Sequence, residues 1–141
     1  MMTGDGWILE IPDSLIAKPH KAWGYDSGAI ARGWVGDAPV TVIVQVMELK
    51  TGFNKWVAEV GALWLEQEPP RRIKVPGAQD AIRLEGFVEF DGLGAADDRE
   101  QCIAICAKHG RQAVGLTIRS RPEDRVQHML EPIVQSFRLV G

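Results

Sequence analysis

Cysteine, tyrosine and any surplus of charge of one sign are scarce in this 141-residue chain. Its two cysteines, Cys102 and Cys106, exclude the disulfide framework of a small secreted domain. Nor do they form a zinc knuckle, which needs a two-residue spacing and a histidine at ligand distance. The net charge of -3, without a long run of either sign, argues against nucleic acid as a partner, because a phosphate backbone demands a basic face. The densest basic groups, Arg71-Arg72-Lys74 and Arg119-Arg121-Arg125, read as solvated surface. No apolar run is long enough to span a bilayer, so membrane insertion is not expected. The start, Met-Met-Thr-Gly-Asp-Gly-Trp, has no basic stretch leading into an apolar run, which predicts no secretory leader and cytoplasmic residence.

Catalytic signatures are equally lacking. No Gly-x-Ser-x-Gly elbow surrounds Ser14, Ser27, Ser120 or Ser136, and there is no Walker loop, dinucleotide fingerprint or His-Glu-x-x-His. Gly92 and Gly94 match no phosphate loop, and Asp91, Asp97, Asp98 and Glu100 lack the alternation of a calcium loop. The three histidines, His20, His109 and His128, are scattered, and Asp124 and His128, four apart, read as an ion pair on a helix face. No enzyme activity, cofactor or metal is therefore expected.

What is present is an ordinary globular composition, 45% hydrophobic and 25% charged, in a length that fits one domain, residues 1–141. Residues 7–11 alternate as a strand with Trp7, Leu9 and Ile11 inward. Residues 12–26 read as a long loop containing Trp23 and Tyr25. Residues 27–35 and 40–48 form a hairpin around Gly36-Asp37-Ala38-Pro39. Over 52–67 the period changes: Phe53, Trp56, Val57, Val60, Leu63 and Trp64 recur at three- and four-residue steps, the stripe of an amphipathic helix capped by Thr51 and stopped at Pro69. A short strand at 71–75 ends in Val75-Pro76-Gly77-Ala78. Residues 80–90 alternate, with Ile82, Leu84, Val88 and Phe90 inward and Arg83, Glu85 and Glu89 outward; 91–98 is a polar loop. Residues 99–108 are apolar on both faces in their middle, Ile103, Ile105 and Ala107 against Cys102, Ala104 and Cys106, which places them in the centre of a sheet covered on both sides. Extended, that segment holds Cys102 and Cys106 about 13 Å apart, beyond the roughly 4.4–6.8 Å of a disulfide, and makes them two small buried hydrophobes. A turn at His109-Gly110 leads back through 112–119. Arg121-Pro122-Glu123 opens a last helix with Val126, Met129, Leu130, Ile133 and Val134 as its stripe and a bend at Pro132, and Ser136–Val140 closes the chain as a strand. The sum is an α+β domain, two main amphipathic helices on a mostly antiparallel sheet of about six to eight strands.

Five tryptophans are many for this length. Trp7, Trp56 and Trp64 fit the core. Trp23, Tyr25 and Trp34 have no assigned core position, and Phe87 stands alone among outward polar residues. These four, together with the small-residue helix face of Ala58, Ala62 and Leu65, are the candidate partner-binding residues, since aromatic side chains are enriched at binding hot spots.

Three short signatures, Ile11-Pro12 after the first strand, Val75-Pro76-Gly77-Ala78 before a long alternating strand, and Ser136-Phe137-Arg138-Leu139 after the last helix, resemble the PsbP-like superfamily over nearly the whole chain. The tryptophan that follows the first proline closely in that family is here replaced by Leu15, with Trp23 further on. The resemblance implies an α/β/α sandwich with a central antiparallel sheet. It implies a non-catalytic role, since the family comprises a photosystem II extrinsic subunit, a Ran-binding nuclear import factor and bacterial proteins of unknown role, some of which look like chaperones for secretion effectors. The expected function is a protein-binding or assembly module with an unidentified protein partner, a second copy of the chain among the candidates. The alternatives are a chaperone-type adaptor for secretion effectors, or a small-ligand-binding protein or hydrolase with a cleft beside 12–26 or 91–98.

Overall fold

The computed structural model describes residues 1–89 and 99–140. Among these residues ten strands enter two sheets. β1 (Met2–Gly4), β2 (Trp7–Leu9) and β10 (Arg138–Leu139) make a small sheet in the order β1-β2-β10. The other seven are β3 (Leu15–Pro19), β4 (Ser27–Val35), β5 (Ala38–Glu48), β6 (Arg71–Arg72), β7 (Asp80–Glu89), β8 (Arg99–His109) and β9 (Gln112–Ser120). They form an antiparallel sheet ordered β3-β4-β5-β9-β8-β7-β6. The helices are α1 (Phe53–Val60) and α2 (Gln127–Ser136).

β8 lies between β7 and β9, and its residues 102–107 are all buried, as two dry faces require. Strand alternation divides them. Ile103, Ile105 and Ala107 join Val42, Val44, Leu116 and Ile118 in the larger core, which α2 closes with Leu130, Ile133 and Val134, and the small sheet with Trp7 and Leu9. Ala104 and Cys106 join Ile82, Leu84 and Ala113 in the smaller core, closed by Phe53, Trp56 and Val57 of α1. Trp56 fits there because Gly115 lies beneath it: a Cβ on Gly115 would sit 3.4 Å from the indole. The sheet is thus covered by α1 on one face and by α2 with the small sheet on the other, an α+β architecture in α/β/α layers.

The three family-like signatures meet in space. The Ser136 hydroxyl accepts from the Glu10 amide at 2.9 Å and donates to the Ile133 carbonyl at 2.7 Å, with the Glu10 carbonyl 3.2 Å away, beside Ile11-Pro12. The Leu139 amide donates to the carbonyl of Pro76 at 2.8 Å. Gly77 has φ +82°, and a Cβ there would overlap the Leu139 carbonyl oxygen, so left-handed backbone and close approach both require glycine.

Several expected elements differ. Residues 12–26 are not one loop: β3 runs through them, paired to β4 from Leu15–Gly33 to Pro19–Ala29. Met2–Gly4 is a further strand. The first helix stops at Val60, not at residue 67. Gly61 weakens its continuation, and Leu65 exchanges backbone hydrogen bonds with Phe87 on the edge of β7 instead (2.8 and 3.0 Å). Ala62 and Leu65 therefore leave the helix face that was to hold them beside Ala58. Gly52 occupies the cap position without a side-chain hydrogen bond, so Thr51 does not cap. Arg121-Pro122-Glu123 enters a separate 3₁₀ turn, Pro122–Asp124, ended by Arg125 at φ 51°. Asp124 pairs with Arg121 at 2.9 Å, not with His128. Met129 is 40% exposed at the margin of its stripe. Arg83 points not outward but under α2, only 9% exposed. The readings of Phe90 as an inward residue and of 91–98 as a polar loop, with Gly92, Gly94, Asp91, Asp97 and Asp98, lie outside the described residues.

Candidate functional site

α1 is too short to cover its face of the sheet. It shields β7, β8 and β9 and leaves the β3–β4–β5 half open. The pairings Ile16–Arg32, Lys18–Ile30, Arg32–Thr41 and Ile30–Ile43 put these side chains on that one face with Trp34. Ile30 and Ile43, directly opposite one another, are buried yet belong to neither core. Around them Ile16 is 78% exposed and Trp34 57%. Lys18 and Arg32 are the charged groups these three strands direct to this face, so it is cationic as well as apolar. Neither takes part in the ion pairs found among the described residues.

Toward α1 the open face deepens into a groove of about 340 Å³. Its floor is Gln45, Thr117, Arg119 and Cys102. Val60, Leu63 and Trp64 wall one side, and Tyr25 stands on its margin. Leu63, just beyond the helix end, is 89% exposed, and Trp23, two residues before Tyr25, is 98% exposed. At the β9–β8 end, burial holds the Glu100 carboxyl above its usual range against the opposing pull of Arg119.

Of the sequence-predicted contact residues, Tyr25 lines the groove, Trp23 stands beside it, and Trp34 lies on the same sheet face. Phe87 is half-buried: the guanidinium of Arg99 stacks 4.3 Å from its ring centroid, and its backbone is joined to Leu65. Ala58 and Ala62 are exposed and Leu65 is 40% exposed, on separate elements. Sequence reasoning missed Ile16, hidden in a supposed loop, and Leu63, assigned to the core stripe of a helix that ends before it. The Leu-Ile-Ala-Lys alternation at 15–18 and the glycine at 61 were the available signals.

The chemistry open to these side chains is limited. Burial pushes the thiols of Cys102 and Cys106 up to about 12, so neither is a ready nucleophile or ligand. Among the described residues no group of three or more His, Cys, Asp and Glu side chains is placed to hold a metal ion, and no helix is long and apolar enough to cross a membrane.

No protein-family model matches the sequence, and no curated protein matches it. Solved structures do. The solution structure of cyanobacterial PsbP (CyanoP) from Synechocystis sp. PCC 6803 superposes with a TM-score of 0.59 at 16% identity, over 95% of this chain and 86% of that one. The crystal structure of LpqN, involved in cell envelope biogenesis of Mycobacterium tuberculosis, also gives a TM-score of 0.59, at 13% identity, over 96% of this chain and 83% of that one. At such identities the likeness is one of fold, and the fold of this chain is the PsbP-like fold.

Proposed function

We propose that this chain is a non-catalytic protein-binding module, and that its partner lays a segment bearing apolar and acidic side chains on the open β3–β4–β5 face. The observation that carries the reading is the composition of that face. Ile16 and Trp34 project into solvent beside Lys18 and Arg32, and no acidic residue of β3, β4 or β5 opposes them on that side. Exposed aromatic and aliphatic anchors supply affinity, and the two strand cations, outnumbering the one carboxylate of the groove wall, Glu59, select an acidic partner.

Strand addition at the outer edge is disfavoured. The His20 amide donates to Gly28 at 3.0 Å, so in this register His20, Lys18 and Ile16 turn their backbone groups to β4. Leu15, Ala17 and Pro19 turn theirs outward, but the Leu15 amide is held by the Pro12 carbonyl and Pro19 has none, leaving Ala17 as the outward donor. The partner is held through side chains.

The test is recovery of a stoichiometric partner by the immobilised chain from its native lysate, compared among variants. Ile16→Asp with Trp34→Ser, and separately Arg32→Glu, should abolish recovery, whereas Gln135→Ala, exposed on α2, should not. Undiminished recovery by the first two variants would refute the assignment of this face.

A further inference from the structure

On the opposite side of the sheet, a cleft of about 370 Å³ separates the small sheet from the β3–β4 edge of the large one. That volume is at the lower end of the roughly 300–1,000 Å³ typical of small-molecule sites. Its apolar lining includes Met2, Trp7, Ala17 and Ala29. Two side-chain atoms of its lining residues, Trp7 Nε1 and Ser27 Oγ, are buried without a hydrogen-bond partner. Trp7 is 1% exposed, and an indole N–H can only donate. Buried donors left unpaired are rare, and each calls for an acceptor. The Ala17 amide, turned away from β4 by the register, is a third donor on the same wall.

β1 forms the cover. It is a three-residue edge strand, paired to β2 alone. It passes so close over Trp7 that a Cβ on Gly4 would overlap the indole ring. An outward shift of this strand would uncover the indole N–H, which already borders the cleft through Trp7.

We propose that this cleft binds a small organic acid, its carboxylate accepting from the Ala17 amide and, once a shift of β1 opens the cleft to the two buried atoms, from Ser27 Oγ–H and Trp7 Nε1–H, with its apolar body against Met2 and Ala29. A carboxylate fits because it only accepts hydrogen bonds and offers about four lone-pair positions to several donors. Asp5 is the acidic residue on the lining, and Lys18, also on the lining, directs its side chain to the other face of the sheet. The site lies across the sheet from the docking face, so either can fail without the other.

The experiment is a titration of the isotope-labelled full chain with octanoate, read by the indole N–H resonances, with octan-1-ol as the matched neutral probe. Trp7→Phe assigns the Trp7 resonance by its loss. The site predicts a saturable shift of that resonance with octanoate, binding about tenfold weaker for octan-1-ol, and about tenfold weaker octanoate binding by Ser27→Ala, as loss of one charge-assisted hydrogen bond implies. If Trp7→Phe does not fold, the Ser27→Ala comparison by calorimetry stands alone. Absence of a saturable shift, equal binding of octan-1-ol, or unchanged affinity in Ser27→Ala would each overturn the proposal.

Discussion

Removing the carboxylate of Glu131 is the sharpest test of how the layers are held together. Arg83 rises from β7 under α2 and is 9% exposed. Glu131 receives two of its guanidinium N–H bonds, from Nη1 at 3.0 Å and from Nη2. Its Nε donates to Glu85 at 3.3 Å, and Glu85 is shared with Arg71, also at 3.3 Å. Glu131→Ala leaves a buried cation with one divided partner. Stripping one member from a fully buried pair costs about 3–5 kcal/mol. The Glu131 side chain is 37% exposed, so solvent screening reduces the expected loss to about 2 kcal/mol. Arg83→Met removes the buried charge and leaves the Glu131 carboxylate, 37% exposed, to water, so it should cost less, under about 1.5 kcal/mol. In the Arg83→Met background, Glu131→Ala should then cost under about 0.5 kcal/mol, a coupling measurable by a double-mutant cycle in urea unfolding with an unchanged m-value. The hydrogen bond from Arg83 holds the Glu131 carboxyl below its usual range. The advantage of the native chain over Glu131→Ala should therefore be full above the unfolded carboxylate pKa of about 4.3, and fade as pH falls through the lower folded value. A loss below about 0.5 kcal/mol for Glu131→Ala, or an equal loss for Arg83→Met, would refute this account.

Glu100 should act with the opposite sign. Burial raises its folded pKa, so its contribution to stability is full below the unfolded value and is lost as pH rises through the folded one; Glu100→Gln should raise Tm at neutral pH and leave it unchanged in acid. Cys102 and Cys106, pushed up to about 12 by burial, should react with a thiol reagent at neutral pH only as fast as the chain opens, both sulfurs together, measured against added urea. Gly77→Ala should cost at least about 2 kcal/mol in chemical denaturation, because its φ of +82° is strained for any L side chain and the Leu139 carbonyl stands in the way of a Cβ.

The central sheet was legible because its signal is the simplest that chain chemistry writes. Residues 102–107 are apolar on both faces, which only a covered inner strand satisfies, and β8 is that strand. The hairpin of β4 and β5 followed from alternation in the same way. What was not legible depends on contacts distant in sequence. β3 is short, lies close to Pro12 and ends at Pro19, and is extended because β4 pairs with it. Helical periodicity runs on through Trp64, but a backbone bridge to Phe87 competes beyond Gly61 and wins. Arg83 sits at an outward position of its alternation, and only the arrival of α2 with Glu131 buries it. The candidate face was half visible: Trp23, Tyr25 and Trp34 were singled out as aromatics without a core position, but the sheet half that joins them to Ile16 depends on where α1 stops.

The most direct test of the docking account is calorimetric titration of the purified partner into the native chain and into the Ile16→Asp, Trp34→Ser double variant. Each titration is run at low and at raised ionic strength, about 50 and 300 mM salt. The account predicts affinity at least about thirtyfold weaker in the double variant, as loss of a hot-spot anchor implies, and binding by the native chain that weakens with salt. Equal affinities for the two chains, or native binding indifferent to salt, would contradict it.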